Sequence, residues 1–306
     1  MSGVLTGFGV IATIILVGYI VGRTGVLGTS AQPVIARMVF YVLAPFLLFT
    51  VLAGASVEQL FSRLLVVSLI AALISFALFT VVAVFVWRRK APEATIGTVA
   101  AGYVNSSNIG IPVSVYVLGD AAYSAPIVLL QLLVFAPVIL TILDVRTGGR
   151  TTIGRVLLQP LRNPIIIGSV LGLLLAVTGV ELPTPVMEPF RLIGAAAVPV
   201  MLISYGMSLH GQRILEPGSG RRDVLLASTI KLAIMPLAAW LFGRFVFGLD
   251  GQELFAVVVL AALPTAQNVF NYAQRYGRGV ILARDTVLIT TIGSILVLLL
   301  WTALLH

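Results

Sequence analysis

The sequence predicts an all-α polytopic membrane protein with ten transmembrane helices, and three observations carry that expectation. Of its 306 residues 59% are hydrophobic and only 10% charged, against about 25% charged in an ordinary soluble domain. The mean hydropathy is +1.10. The apolar residues gather in runs near 4–22, 33–53, 64–87, 95–118, 124–143, 163–179, 186–209, 224–247, 254–275 and 281–305. Each run has roughly the 20 residues that a helix needs to span a bilayer, about twice the length of a barrel strand. Strands do not compete, because a lipid-exposed sheet edge leaves backbone groups unpaired.

Taken in order, span 1 carries Gly18 and Gly22 and span 6 carries Gly168 and Gly172, at spacings that let helix backbones pack closely. The run from Val4 to Gly22 is followed by no soluble domain after a small-residue cleavage site, so it is expected to be a helix and not a removed leader. Spans 2 and 7 contain Pro45 and Pro199, where a missing N–H and a bulky ring kink the helix. Span 10 carries Arg284 and Asp285 near its start. Span 8 holds Lys231, the one charge well inside a run: either a substrate counter-ion or a side chain that snorkels to the interface.

Fifteen of the nineteen Lys and Arg residues, among them Arg23, Arg37, the Arg88-Arg89-Lys90 run and Arg275, lie in or beside the loops after the odd-numbered spans. The opposite side holds Arg63, Arg191 and Arg244. The positive-inside rule puts the basic side in the cytoplasm and both termini outside. The net charge of +8 is therefore a topology signal and no nucleic-acid partner is expected. With no cysteine and two histidines, His210 and His306, neither a metal site nor a cofactor is expected.

The chain also resembles itself. Thr24-Gly25-Val26 returns as Thr178-Gly179-Val180, Arg37 as Arg191 and Pro45 as Pro199 at an offset of 154, and Asn108 and Tyr116 return as Asn268 and Tyr276 at an offset of 160. Two repeats, 1–143 and 163–306, joined by a cytoplasmic linker at 144–162, would each hold five helices. An odd number turns the second upside down, the inverted plan of many secondary transporters.

Chemistry concentrates in spans 4 and 9. Span 4 reads Gly102-Tyr103-Val104-Asn105-Ser106-Ser107-Asn108-Ile109-Gly110-Ile111-Pro112, and span 9 reads Leu263-Pro264-Thr265-Ala266-Gln267-Asn268-Val269-Phe270-Asn271. Both are polar, helix-breaking segments at mid-membrane depth. Such backbone survives there only inside protein or beside a water-filled cavity, and paired breaks in corresponding places point to a transport site. Asn105, Asn108, Thr265, Gln267, Asn268 and Asn271 are the expected binding residues, with Gly110, Pro112 and Pro264 marking the breaks. Half-helix N-termini and amide donors suit an anion without the desolvation cost of a buried cation.

Asn105-x-x-x-x-Gly110-Ile111-Pro112 and Pro264-Thr265-x-x-Asn268-x-Phe270-x-x-Ala273-x-x-Tyr276-Gly277, with Leu130-Gln131 and Asp144 in span 5, resemble the auxin efflux carrier family of plant PIN-FORMED carriers and bacterial relatives. The resemblance implies an elevator-type carrier in a fold shared with sodium/proton antiporters and bile-acid carriers. Spans 1, 2, 6 and 7 would form a scaffold, and spans 3–5 and 8–10 a transport domain with crossed broken helices 4 and 9. It implies a small organic anion as substrate, auxin-like or a dicarboxylate such as malate or malonate. Asn105 would hydrogen-bond the carboxylate, Gln131 would line the same cavity, and the carrier would be a homodimer in lipid. Val104 and Val269 stand where the plant pattern has two further prolines.

None of the eleven Asp and Glu residues falls at a span midpoint. Proton or sodium antiport normally uses such a residue, so potential-driven uniport is expected, with a bile-acid-type sodium symporter the alternative and sodium held by neutral oxygens of Ser106, Ser107 and Thr265. A membrane enzyme would need a nucleophile–base pair or a carboxylate dyad at depth, and a channel a continuous polar lining. The sequence supplies neither.

Overall fold

A computed structural model describes residues 2–28, 30–54, 63–146, 163–211 and 220–305. Most of the linker expected at 144–162 lies outside the described residues. Within them the chain is helical throughout: α1 (Ser2–Thr24), α2 (Ala31–Ala53), α3 (Arg63–Val86), α4 (Ala91–Gly102), α5 (Ser106–Leu118), α6 (Ala121–Val145), α7 (Pro164–Thr178), α8 (Thr184–Ser208), α9 (Arg221–Val246), α10 (Gly251–Ala262), α11 (Gln267–Tyr276) and α12 (Val280–Leu305). The sole β-type pairing among the described residues is a bridge between Val104 and Thr265.

Seven of these helices are long and apolar enough to cross a membrane: α1, α2, α3, α6, α8, α9 and α12. Shorter apolar helices, α5, α7 and α10, occupy the stretches expected for spans 4, 6 and 9. Spans 4 and 9 fall short because each is divided, into α4 and α5 and into α10 and α11. α7 is short at its start because Asn163 caps it, its Oδ1 accepting from the Ile165 N–H at 2.9 Å. It stops where Gly179 turns left-handed at φ 66°.

The expected close approaches occur as packing. A Cβ on Gly18 would lie 2.3 Å from the Ile203 carbonyl oxygen, and one on Gly206 2.1 Å from that of Ile15, so α1 and α8 touch backbone to backbone. Gly168 and Gly172 bring α7 against Pro45 and Phe49 of α2 in the same way. α10 is the hub of the remaining helices: Leu254 to Leu263 are all buried, packed by α3, α9 and α12. The start of α9 is tied to the turn before α4 by Arg89, whose guanidinium donates to both Asp223 oxygens at 3.0 and 2.6 Å.

Four of the prolines inside helices follow one pattern. Pro45, Pro112, Pro137 and Pro236 each come second after a π-helical turn, at Val39–Leu43, Ser106–Gly110, Gln131–Phe135 and Ile230–Ile234. In each turn a five-residue hydrogen bond, such as Ala44 N–H to the Val39 carbonyl or Ala136 N–H to that of Gln131, closes just before the ring. The physical reason is steric: proline collides with the carbonyl four residues earlier in an α-helix, and the wider turn moves that carbonyl aside. Pro199 is accommodated differently, for α8 is interrupted at Ala196, three residues before it.

Candidate functional site

The two interruptions meet. Tyr103 and Asn105 leave helical geometry on one strand, Leu263 and Ala266 on the other. The segments pair antiparallel, the Asn105 N–H donating to the Pro264 carbonyl at 2.8 Å and the Ala266 N–H to that of Tyr103 at 2.9 Å. Buried backbone groups must find partners, and the neighbours complete the set. Gln131 Nε2 donates to the Val104 carbonyl at 2.8 Å and its Oε1 accepts from Ser106 Oγ at 2.6 Å. Thr265 Oγ1 donates to the Ala100 carbonyl at 2.7 Å, while its N–H donates to Thr290 Oγ1 at 3.0 Å.

α5 and α11 start from this junction, so two helix N-termini, with their partial positive charge, converge on a cavity of about 310 Å³. One wall is built from Asn105, Ser106, Ser107 and Asn108, from Gln131, and from Gln267, Asn268 and Asn271. The other is built by α2, with Gln32, Arg37 and Tyr41, and by α8, with Ser204, Tyr205 and Ser208. The π turns of α2, α5 and α6 all contribute lining residues, which fits the frequent occurrence of such turns at functional sites.

Asn105 is the most informative side chain. It is 2% exposed; its Oδ1 caps α5 by accepting from the Asn108 N–H at 3.1 Å, and its Nδ2 has no partner. A buried amide donor left unpaired beside a cavity costs about 1–3 kcal/mol unless a ligand or water accepts from it.

Of the residues expected to bind substrate, Asn105, Asn108, Gln131, Gln267, Asn268 and Asn271 line the cavity. Thr265 does not: it is fully buried and holds the junction from behind. Thr265→Val should therefore leave the Ala100 carbonyl unpaired and lower thermal stability by about 1–3 kcal/mol, with ligand affinity per folded molecule little changed; a melting curve and a titration separate the two. A Cβ on Gly110 would lie 3.0 Å from Leu263 Cδ1, and Pro112 is buried behind the break, whereas Pro264 contributes its carbonyl to the junction. Pro45 sits beside the α2 π turn, and Pro199 beside the interruption of α8.

Lys231 neither lines the cavity nor reaches for the interface. It is fully buried, and its ammonium donates to the Ala261 carbonyl at 2.6 Å and contacts Met235 Sδ at 3.3 Å. A cation there complements the negative C-terminal end of α10. Sequence reasoning passed over Gln32, Arg37, Ser204, Tyr205 and Ser208. The signal was present as polar residues one turn apart, Ser204 and Ser208, in an otherwise apolar span.

Paired helix breaks around an amide-lined cavity, set among apolar helices of membrane-spanning length, define a membrane transport protein. The sequence matches the membrane transport protein family over residues 10–302, and the chain belongs to that family, the auxin efflux carriers it resembles in its motifs. It is 27% identical over 292 residues to a Rhizobium meliloti protein provisionally named a malonate transporter, covering 92% of this chain and 89% of the relative. An uncharacterized transporter of Methanothermobacter thermautotrophicus is 28% identical over 301 residues, 96% of each chain. An Oryza sativa protein provisionally named auxin efflux carrier component 5b is 29% identical over 149 residues, 47% of this chain and 40% of the relative.

Proposed function

We propose that this transporter is a secondary carrier for a small organic anion, an aromatic acid or a short dicarboxylate, working across the plasma membrane as a potential-driven uniporter. The observation that carries the reading is the unpaired, buried Asn105 Nδ2 at a junction where two helix N-termini converge on a cavity. Among its lining residues the one charged side chain is Arg37, and none is acidic. Amide donors to a carboxylate, at about 1.5–3 kcal/mol each before costs, give binding that can still be released. The relative provisionally named a malonate transporter supports the dicarboxylate arm.

The proposal extends to architecture. Ten crossings in two inverted halves are supported by α4 and α10, which begin and end 160 positions apart, the same offset as Asn108 and Asn268. α1, α2, α7 and α8, joined along their glycine seams, would form the stationary scaffold of a homodimeric elevator, with both termini outside. The remaining helices would carry the crossed breaks and the bound anion.

The test is uptake of labelled organic acids into proteoliposomes under an imposed potential, with and without sodium. Flux that follows the potential, persists without sodium and is lost in Asn105→Ala is the expected result. Flux only with sodium would replace uniport by sodium symport, and no flux for any acid would overturn the anion reading.

A further inference from the structure

Arg37 satisfies the positive-inside count, yet its position asks for more than a topology signal. It lines the cavity from α2 as an exposed side chain, with Met38 between it and the π turn at Val39–Leu43. Among the described residues its guanidinium has no carboxylate partner, the ion pairs there being Arg89–Asp223, Arg278–Glu93 and Arg284–Asp285. The lining therefore carries one full positive charge, on Arg37, beside neutral amides and hydroxyls. The two kinds of donor sit on different elements, Arg37 on α2 and the amides on α5, α6 and α11.

A monoanion held by Asn105 and its neighbours leaves the exposed Arg37 guanidinium facing water alone. A ligand with a carboxylate at each end satisfies both walls, and the planar guanidinium fork suits a carboxylate in bidentate geometry. Space permits it, since about 310 Å³ equals roughly ten waters at about 30 Å³ each, enough for a three- to five-carbon diacid with water to spare.

We propose that Arg37 is the specificity-determining residue that binds the second carboxylate of a short dicarboxylate whose first carboxylate is held by Asn105 and the neighbouring amides. The inference rests on the organic-anion reading above and narrows it to dianions.

The experiment measures dissociation constants of the full chain in detergent for malonate, succinate and glutarate, and for the monomethyl ester of each, which keeps the skeleton and removes one charge. In wild type one diacid should bind more tightly than its monoester. Arg37→Gln should weaken that diacid about thirtyfold, within the range lost with a hydrogen bond to a charged group, and leave the monoester within about threefold. Arg37→Lys, which keeps the charge but loses the fork, should fall between. Equal losses for diacid and monoester in Arg37→Gln, or no loss for either, would overturn the proposal. So would a wild type that prefers monoanions, an outcome that leaves the anion-carrier reading standing as long as Asn105→Asp abolishes their binding. Wild type binding none of the six ligands would overturn this inference, and the flux panel would then decide the broader reading alone.

Discussion

Asn105→Asp should abolish anion binding while the protein keeps its fold. The substitution preserves the oxygen that accepts from the Asn108 N–H, so the N-cap of α5 survives. Only the unpaired Nδ2 donor is exchanged, and its replacement carries negative charge where a carboxylate is to dock. Losing one hydrogen bond to a charged group costs about 1.5–3 kcal/mol, and like-charge repulsion in a low-dielectric site adds to it. We expect affinity to fall by more than about 100-fold, with the melting transition in detergent nearly unmoved. Asn105→Ala makes the complementary point: it removes the donor without repulsion and the cap as well, for about 1 kcal/mol of stability. Equal ligand affinity in wild type and Asn105→Asp would remove this side chain from the site.

Gly18→Leu should be strongly destabilising at the seam between α1 and α8. Its Cβ would sit 2.3 Å from the Ile203 carbonyl oxygen and 2.9 Å from the Ile203 Cα. Those atoms belong to backbone, so no rotamer change relieves the clash and α1 must separate from α8. Overpacking of this kind costs about 1–3 kcal/mol or more; we place Gly18→Leu at the upper end, read as a lowered melting temperature and loss of a monodisperse peak. Gly9→Leu on the same helix is the control. A Cβ there meets nothing within 4 Å, and the exchange improves helix propensity, so stability should hold or rise slightly.

Much of this organisation was legible in the sequence, for reasons that differ residue by residue. Asn105, Asn108, Asn268 and Asn271 announced themselves because amides in an apolar run need a polar surface, and the cavity is that surface. Gly18 and Gly172 could be read as packing residues because a missing side chain has that simple use in a helix. Thr265 misled, since residues in extended backbone lose the helical period that tells which way a side chain points; its hydroxyl turned to Ala100 and not to the cavity. Arg37 was hidden by an explanation that was sufficient without it, the charge asymmetry of the loops. Lys231 could not be placed because its partner, the Ala261 carbonyl, exists only where α10 stops. The π turns have no compositional signature of their own, although four prolines two positions beyond them suggest where to look.

The pairing of the two interruptions has a consequence for biosynthesis. The Tyr103 carbonyl and the Asn105 N–H find their partners in Ala266 and Pro264, some 160 residues later in the order of synthesis. Until those residues are inserted, the first half holds unpaired backbone at a depth where lipid offers no substitute. Such non-local closure is slow and late. The nascent first half is thus a client for whatever can shield polar backbone inside a bilayer, and the binding cavity is among the last features of the molecule to come into being.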